Sequence, residues 1–252
     1  MRSLILCEGF DDVLLLGYYL FKTVGWRFNP KGVFAKLYNF PKLDFKRQAV
    51  EIYEKGNDLL GIWAVGGKDS FSEAYKFVCR VNSLNPTEKI DKIFIVTDRD
   101  QNEIEQCLLD MRNKMYSCGL NVAELLNNQS NVYSYVIEEE IYHLEIIPII
   151  VPFDQNGAIE TVLMEGIAET GEEEEYIVSC ANEYIAEVLK SGRLHNYLQH
   201  ERQVLKAKLS AVISITNPDR STSLFDKVLM SWDWETKNAV RRHFETIAEY
   251  LT

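Results

Sequence analysis

Residues Leu4-Ile-Leu-Cys-Glu8-Gly9-Phe-Asp11-Asp12 end an apolar run on an acid, a glycine and two more acids. Lys92-Ile-Phe-Ile-Val-Thr-Asp98-Arg99-Asp100 repeats the plan, with two carboxylates one residue apart. Carboxylates gathered at one rim repel one another and hold on to their protons unless a cation sits among them. Mg²⁺ or Mn²⁺ suits such oxygen donors and keeps waters that phosphate oxygens can displace. Two such ions about 4 Å apart stabilise the attacking and leaving oxygens of a phosphoryl transfer. Helix capping is the competing role for Asp11 and Asp12; Glu8, between a buried strand and a glycine, has little capping use.

The elements that must carry these acids alternate. A strand at 3–7 feeds an apolar helix at 13–23. Residues 32–40 alternate as a strand, 45–55 carry helical spacing, and 60–65 form a strand ended by Gly66-Gly67. Asp69 or Ser70 is placed to cap a helix running to about residue 81. A loop at 82–88, a strand at 92–97 and a helix at 102–118 follow. This alternation predicts an α/β fold with a doubly wound, mainly parallel sheet. Ligands of such sheets bind outside the carboxyl ends of the strands, where Glu8, Gly66-Gly67 and Asp98/Asp100 fall.

From residue 121 to 153 the pattern is β, with a strand at 142–151 and an exposed acidic run at Glu138 to Glu140. Helices at 158–169, 172–190, 194–215, 223–230 and 235–251 make a helical C-terminal part. The expected division is an α/β domain at 1–155 with the helical part, 156–252, packed on it. The acids Glu172 to Glu175 complement a helix macrodipole.

Composition sets limits. The 252 residues are 46% hydrophobic, enough for a core. The most apolar stretch, Ile146 to Phe153, is short and holds two prolines, and Glu8, Asp11 and Asp12 interrupt any leader-like run, so neither a membrane span nor a signal peptide is expected. Five scattered cysteines without C-x-x-C spacing indicate reduced thiols and a cytoplasmic location. The four histidines form no zinc motif.

The net charge of −11 is uneven, because residues 1–100 sum to +2 and the rest to −13. Lys22 to Arg47 holds seven bases and one acid, interleaved with Trp26, Phe28, Phe34, Tyr38, Phe40 and Phe45. Lys36, Lys42, Lys46 and Arg47, with Lys68 beyond, are candidates to clamp nucleic-acid phosphates; the competing role is a solvated basic face with its aromatics turned inward.

The ordered pair of motifs, hhhhEGxxD at Leu4 to Asp12 and hhhxDxD at Ile93 to Asp100, resembles the signature of the Toprim (topoisomerase–primase) domain. The resemblance covers residues 1 to 126 directly. It extends towards the overcoming-lysogenization-defect nucleases and small Toprim-like proteins through Gly157-Ala-Ile-Glu160-Thr-Val-Leu163 and Leu205-Lys206-Ala-Lys208-Leu. It implies a Toprim-like fold in which Glu8, Asp12, Asp98, Asp100 and Glu160 hold Mg²⁺ or Mn²⁺. Glu8 would also serve as general base, Asp98 would bridge metals, and Lys206, or Lys208, would stabilise charge on the phosphate. Glu160 as a first-turn acid and either lysine as a solvated helix residue are the competing roles.

After Asp100 the chain lacks a further D-G, no tyrosine is marked as a nucleophile, and strand-passage domains have no room. These departures point away from topoisomerase and primase. There is no G-x-x-x-x-G-K-[ST] either, so a motor would be a separate ATPase or other complex subunit. The leading expectation is a metal-dependent nuclease acting on DNA or RNA. The alternatives are a non-catalytic metal- and nucleic-acid-binding module of a larger DNA repair or defence complex, and a metal-free structural protein.

Overall fold

The apolar run Ser3 to Cys7 is wholly buried because its strand, β1 (Arg2–Cys7), lies inside a seven-stranded sheet. The structure is a computed structural model and describes residues 1–32, 38, 40, 41, 48–218 and 225–252. The other strands are β2 (Arg27–Phe28), β3 (Ala49–Lys55), β4 (Asp58–Ala64), β5 (Lys92–Asp98), β6 (Asn131–Ile137) and β7 (Glu140–Val151). They lie in the order β2-β3-β4-β1-β5-β7-β6. The parallel part is the centre, β4-β1-β5, where strands buried on both faces read as continuous apolar runs. The β2-β3-β4 flank and the β6-β7 hairpin are antiparallel.

The helices are α1 (Phe10–Val24), α2 (Phe71–Leu84), α3 (Ile104–Ser117), α4 (Ile159–Ala168), α5 (Glu172–Lys190), α6 (Glu201–Thr216), α7 (Phe225–Leu229) and α8 (Asn238–Tyr250). The protein is thus of the mixed α/β class. Among the described residues no helix is long and apolar enough to cross a membrane.

The chain divides into two compact units that are not consecutive stretches. The first comprises residues 1–97, 103–150 and 246–252, and the second comprises 98–102 and 151–245. The expected boundary near 155 falls at 150/151, and two short segments cross it.

In the first unit, the largest correction concerns the helix expected at 45–55. Residues 49–55 form β3, paired with β4 across the two-residue turn Gly56-Asn57. Gly56 has φ +61, and a Gly-Asn pair supplies the positive φ that a tight hairpin needs. That turn overrides the helical spacing of Val50, Ile52 and Tyr53. Gly17 of α1 lets Tyr53 approach; a Cβ there would clash with the Tyr53 hydroxyl oxygen. The strand expected at 32–40 falls mostly outside the described residues. Neither Asp69 nor Ser70 caps α2 by its side chain; a 3-10 turn, Lys68–Ser70, leads in instead. The C-terminal segment returns to this unit, where Trp26 donates to the Leu251 carbonyl at 3.2 Å and Lys92 to that of Tyr250 at 3.1 Å.

In the second unit α4, α5 and α6 pack on one another, and Val162, Leu163, Ile167, Ala181, Ile185, Leu205 and Val212 of these helices are buried. The helix expected from 194 begins at Glu201. Glu172 to Glu175 form the first turn of α5, as the macrodipole argument expects.

Candidate functional site

In the first unit the chain leaves β1 at Glu8, which is only 6% exposed. Its carbonyl accepts the N–H groups of Gly66 and Gly67, at 3.1 and 3.0 Å. Those two glycines have φ +94 and +108, so the turn after β4 wraps onto the end of β1 in a conformation that favours glycine. The Glu8 carboxylate accepts a hydrogen bond from the Thr97 hydroxyl at 2.7 Å, and the Lys68 ammonium lies 3.9 Å away. Register explains the first contact. Leu6 is paired with Ile95 in the parallel β1-β5 ladder, so two residues on, Glu8 meets Thr97.

Asp12, also buried, accepts the Gly9 N–H at 2.7 Å. This ties the entry of α1 together as a capping interaction. Asp12 therefore performs the capping role that the sequence left open for it and Asp11.

In the second unit the Asp98-Arg99-Asp100 segment is fixed onto residues 157–160. Asp100 and Gly157 exchange both backbone hydrogen bonds, at 2.7 and 2.8 Å. The Asp98 carboxylate accepts the Ile159 N–H at 3.0 Å and so caps α4 from outside the helix. Gly157 has φ +147, and a Cβ there would clash with the Thr161 hydroxyl oxygen. In the first turn of α4, Glu160 is buried and pairs with Lys206 of α6 at 3.1 Å. The choice between Lys206 and Lys208 is thereby made for contact with Glu160. Four positions drawn from three separate motifs thus meet in one unit.

Sequence reasoning passed over two residues. Thr97 supplies the hydroxyl to Glu8, and its only signal was its place just before the DxD pair. Arg99 is buried between the two aspartates in sequence; its Nε donates to the Asn102 carbonyl at 2.8 Å and its Nη1 to that of Phe153 at 3.4 Å.

Carboxylate and hydroxyl oxygens suit a hard divalent ion by donor chemistry. Among the described residues, however, no group of three or more His, Cys, Asp or Glu side chains is arranged to hold a metal. The carboxylates are engaged instead with Thr97, Lys68, Gly9, Ile159 and Lys206.

Of the nucleic-acid candidates, Lys36, Lys42, Lys46 and Arg47 lie outside the described residues, as do Phe34 and Phe45. Trp26 and Tyr38 are buried in the core, and Phe40 stacks on Phe77 at 4.9 Å. Phe28 alone of the described aromatics in that stretch is exposed. Lys68 is one-third exposed beside Glu8. The five cysteines are free thiols.

Fold and site together define a mixed α/β protein with acids at the ends of adjacent strands. The family described as "protein of unknown function (DUF3226)" matches residues 2–248, and the chain belongs to it. No functionally curated protein matches the chain. Among solved structures it is similar to a hypothetical protein from Pyrococcus horikoshii OT3, at 17% identity and a TM-score of 0.47, covering 98% of this chain and 100% of the other.

Proposed function

We propose that the protein is a Toprim-like, Mg²⁺- or Mn²⁺-dependent nuclease that hydrolyses phosphodiester bonds of DNA or RNA. The observation that carries this reading is where the chain buries its acids. Of its 38 Asp and Glu residues, those buried among the described residues are Glu8, Asp12 and Glu160, all of them motif positions. Buried carboxylates are costly to keep unless paired or bound to metal, so a fold rarely holds three of them without a use.

On this reading the metal ligands are Glu8, Asp12, Asp98, Asp100 and Glu160. A bound divalent ion supplies Lewis acidity at the phosphate oxygens. The chain's own groups do the rest. Glu8 takes a proton at its carboxylate as general base, while the Thr97 hydroxyl fixes that carboxylate's orientation. Lys206, whose ammonium is partly exposed, offers positive charge to the phosphate. Lys68 and the basic segment Lys36, Lys42, Lys46 and Arg47 attract the nucleic-acid backbone. The free thiols support a reducing, cytoplasmic setting.

The engagement of the carboxylates by protein partners favours a second reading, a non-catalytic metal- and nucleic-acid-binding module within a larger repair or defence complex. One experiment separates the two. Labelled single- and double-stranded DNA and RNA are incubated with the protein and Mg²⁺, Mn²⁺ or EDTA, with binding and cleavage both recorded. The nuclease reading expects cleavage that EDTA stops; binding without cleavage favours the module.

A further inference from the structure

Among the described residues strand β6 is last in the sheet order, and none of them pairs with its outer edge. Proteins protect open edges with charges, prolines or bulges, since unpaired backbone groups invite another strand. β6, Asn131-Val-Tyr-Ser-Tyr-Val-Ile137, has no charge and no proline. Its central five residues, Val132-Tyr133-Ser134-Tyr135-Val136, read the same in both directions about Ser134.

The hairpin fixes which groups face that edge. Glu138 and Glu139 form the two-residue turn with φ +49 and +69, and Ile137 pairs with Glu140. In such a hairpin the closing pair is hydrogen-bonded and bonded pairs alternate along the ladder. Ile137, Tyr135 and Tyr133 therefore turn their backbone groups towards β7. Val136, Ser134 and Val132 turn theirs to the open edge. The side chains of Val132 and Val136 are 60% and 67% exposed, and Ile141, opposite Val136 on β7, is 67% exposed.

We propose that β6 pairs antiparallel with β6 of a second copy of this chain, about a two-fold axis at Ser134. An isologous interface must be self-complementary, and the palindrome meets that demand along the strand. Ser134 falls opposite Ser134 of the second copy, each Val132 opposite a Val136, and each Tyr133 opposite a Tyr135. All outward backbone groups of the three edge residues are then bonded, giving about six hydrogen bonds across the axis. The acidic turn does not oppose itself, because Glu138 comes opposite Ser130 and Glu139 opposite Gln129. On one face the apolar strip Ile141-Val136 continues onto Val132 of the second copy. On the other, the stack of Tyr142, Tyr135 and Tyr133, with rings 5.8 Å apart, continues across the axis. A single strand edge buries little area, so the dimer dissociates on dilution.

Sedimentation over a concentration series tests this with the full chain and two double variants at exposed positions. Wild type is expected to pass from 29.2 kDa towards twice that mass as concentration rises. Val132→Lys with Val136→Lys sets lysine against lysine twice and is expected to weaken association at least about tenfold. Val132→Lys with Val136→Glu sets opposite charges against each other in the proposed register and is expected to restore it. Circular dichroism confirms that both variants fold. A wild type that stays at 29.2 kDa, a double-lysine variant that dimerises like wild type, or a Lys/Glu variant that remains a single chain overturns the proposal.

Discussion

The Thr97 hydroxyl donates to the buried Glu8 carboxylate at 2.7 Å, joining the ends of two neighbouring strands of the central parallel ladder. A hydrogen bond to a charged group contributes about 1.5–3 kcal/mol, and Lys68 remains nearby to share the load. Thr97→Val, which keeps the shape and removes the donor, is expected to lower stability by about 1–2 kcal/mol in urea unfolding, and Thr97→Ser to restore most of it. Equal midpoints for wild type and Thr97→Val would show that the contact contributes nothing.

The Glu160–Lys206 pair should behave as a unit. Lys206→Met leaves a buried carboxylate without its cation, which is expected to cost about 1–3 kcal/mol, discounted because the ammonium is partly exposed. Adding Glu160→Gln should recover much of that loss. A double-mutant cycle by urea denaturation measures the coupling; strictly additive effects would argue that the two charges do not interact.

His243 carries a pH prediction. It is wholly buried against Phe153 at 4.6 Å, and burial, reinforced by the Arg242 cation and opposed by Asp154, lowers its pKa from 6.5 to about 4. The folded state therefore holds the ring neutral where the unfolded chain would protonate it. Its contribution is present in full above about pH 6.5 and is lost as pH falls towards 4, by on the order of 3 kcal/mol. His243→Gln should flatten the melting temperature against pH across that window relative to wild type. Parallel profiles would contradict the assignment.

How far the sequence discloses this architecture depends on range. Glu8 and the Asp98/Asp100 pair stand out because a buried strand ending in acid is a local pattern. The β3-β4 hairpin was less legible, since Val50, Ile52 and Tyr53 fit a helical period while the deciding signal was two turn residues, Gly56-Asn57. Lys206 lies on a different helix from Glu160, and spacing alone could not choose it over Lys208. The return of Tyr250 and Leu251 to Lys92 and Trp26 depends on tertiary packing that no local pattern encodes.

Bound metal should also be visible without turnover. Ligand present at ten times its dissociation constant stabilises a fold by about 1.4 kcal/mol, which raises the melting temperature by roughly 3–6 °C for a chain of this size. Mg²⁺ or Mn²⁺ is expected to produce such a rise in wild type. Asp100→Asn should diminish it. No divalent effect on wild type would favour the metal-free structural role.

The most direct measurement is divalent-dependent cleavage of DNA and RNA by wild type, Glu8→Gln and Asp98→Asn, with folding verified by circular dichroism. The account predicts cleavage by wild type that EDTA abolishes, and a loss of at least about a hundredfold in each variant. Full activity in both variants, or no cleavage by wild type with either metal, would contradict it.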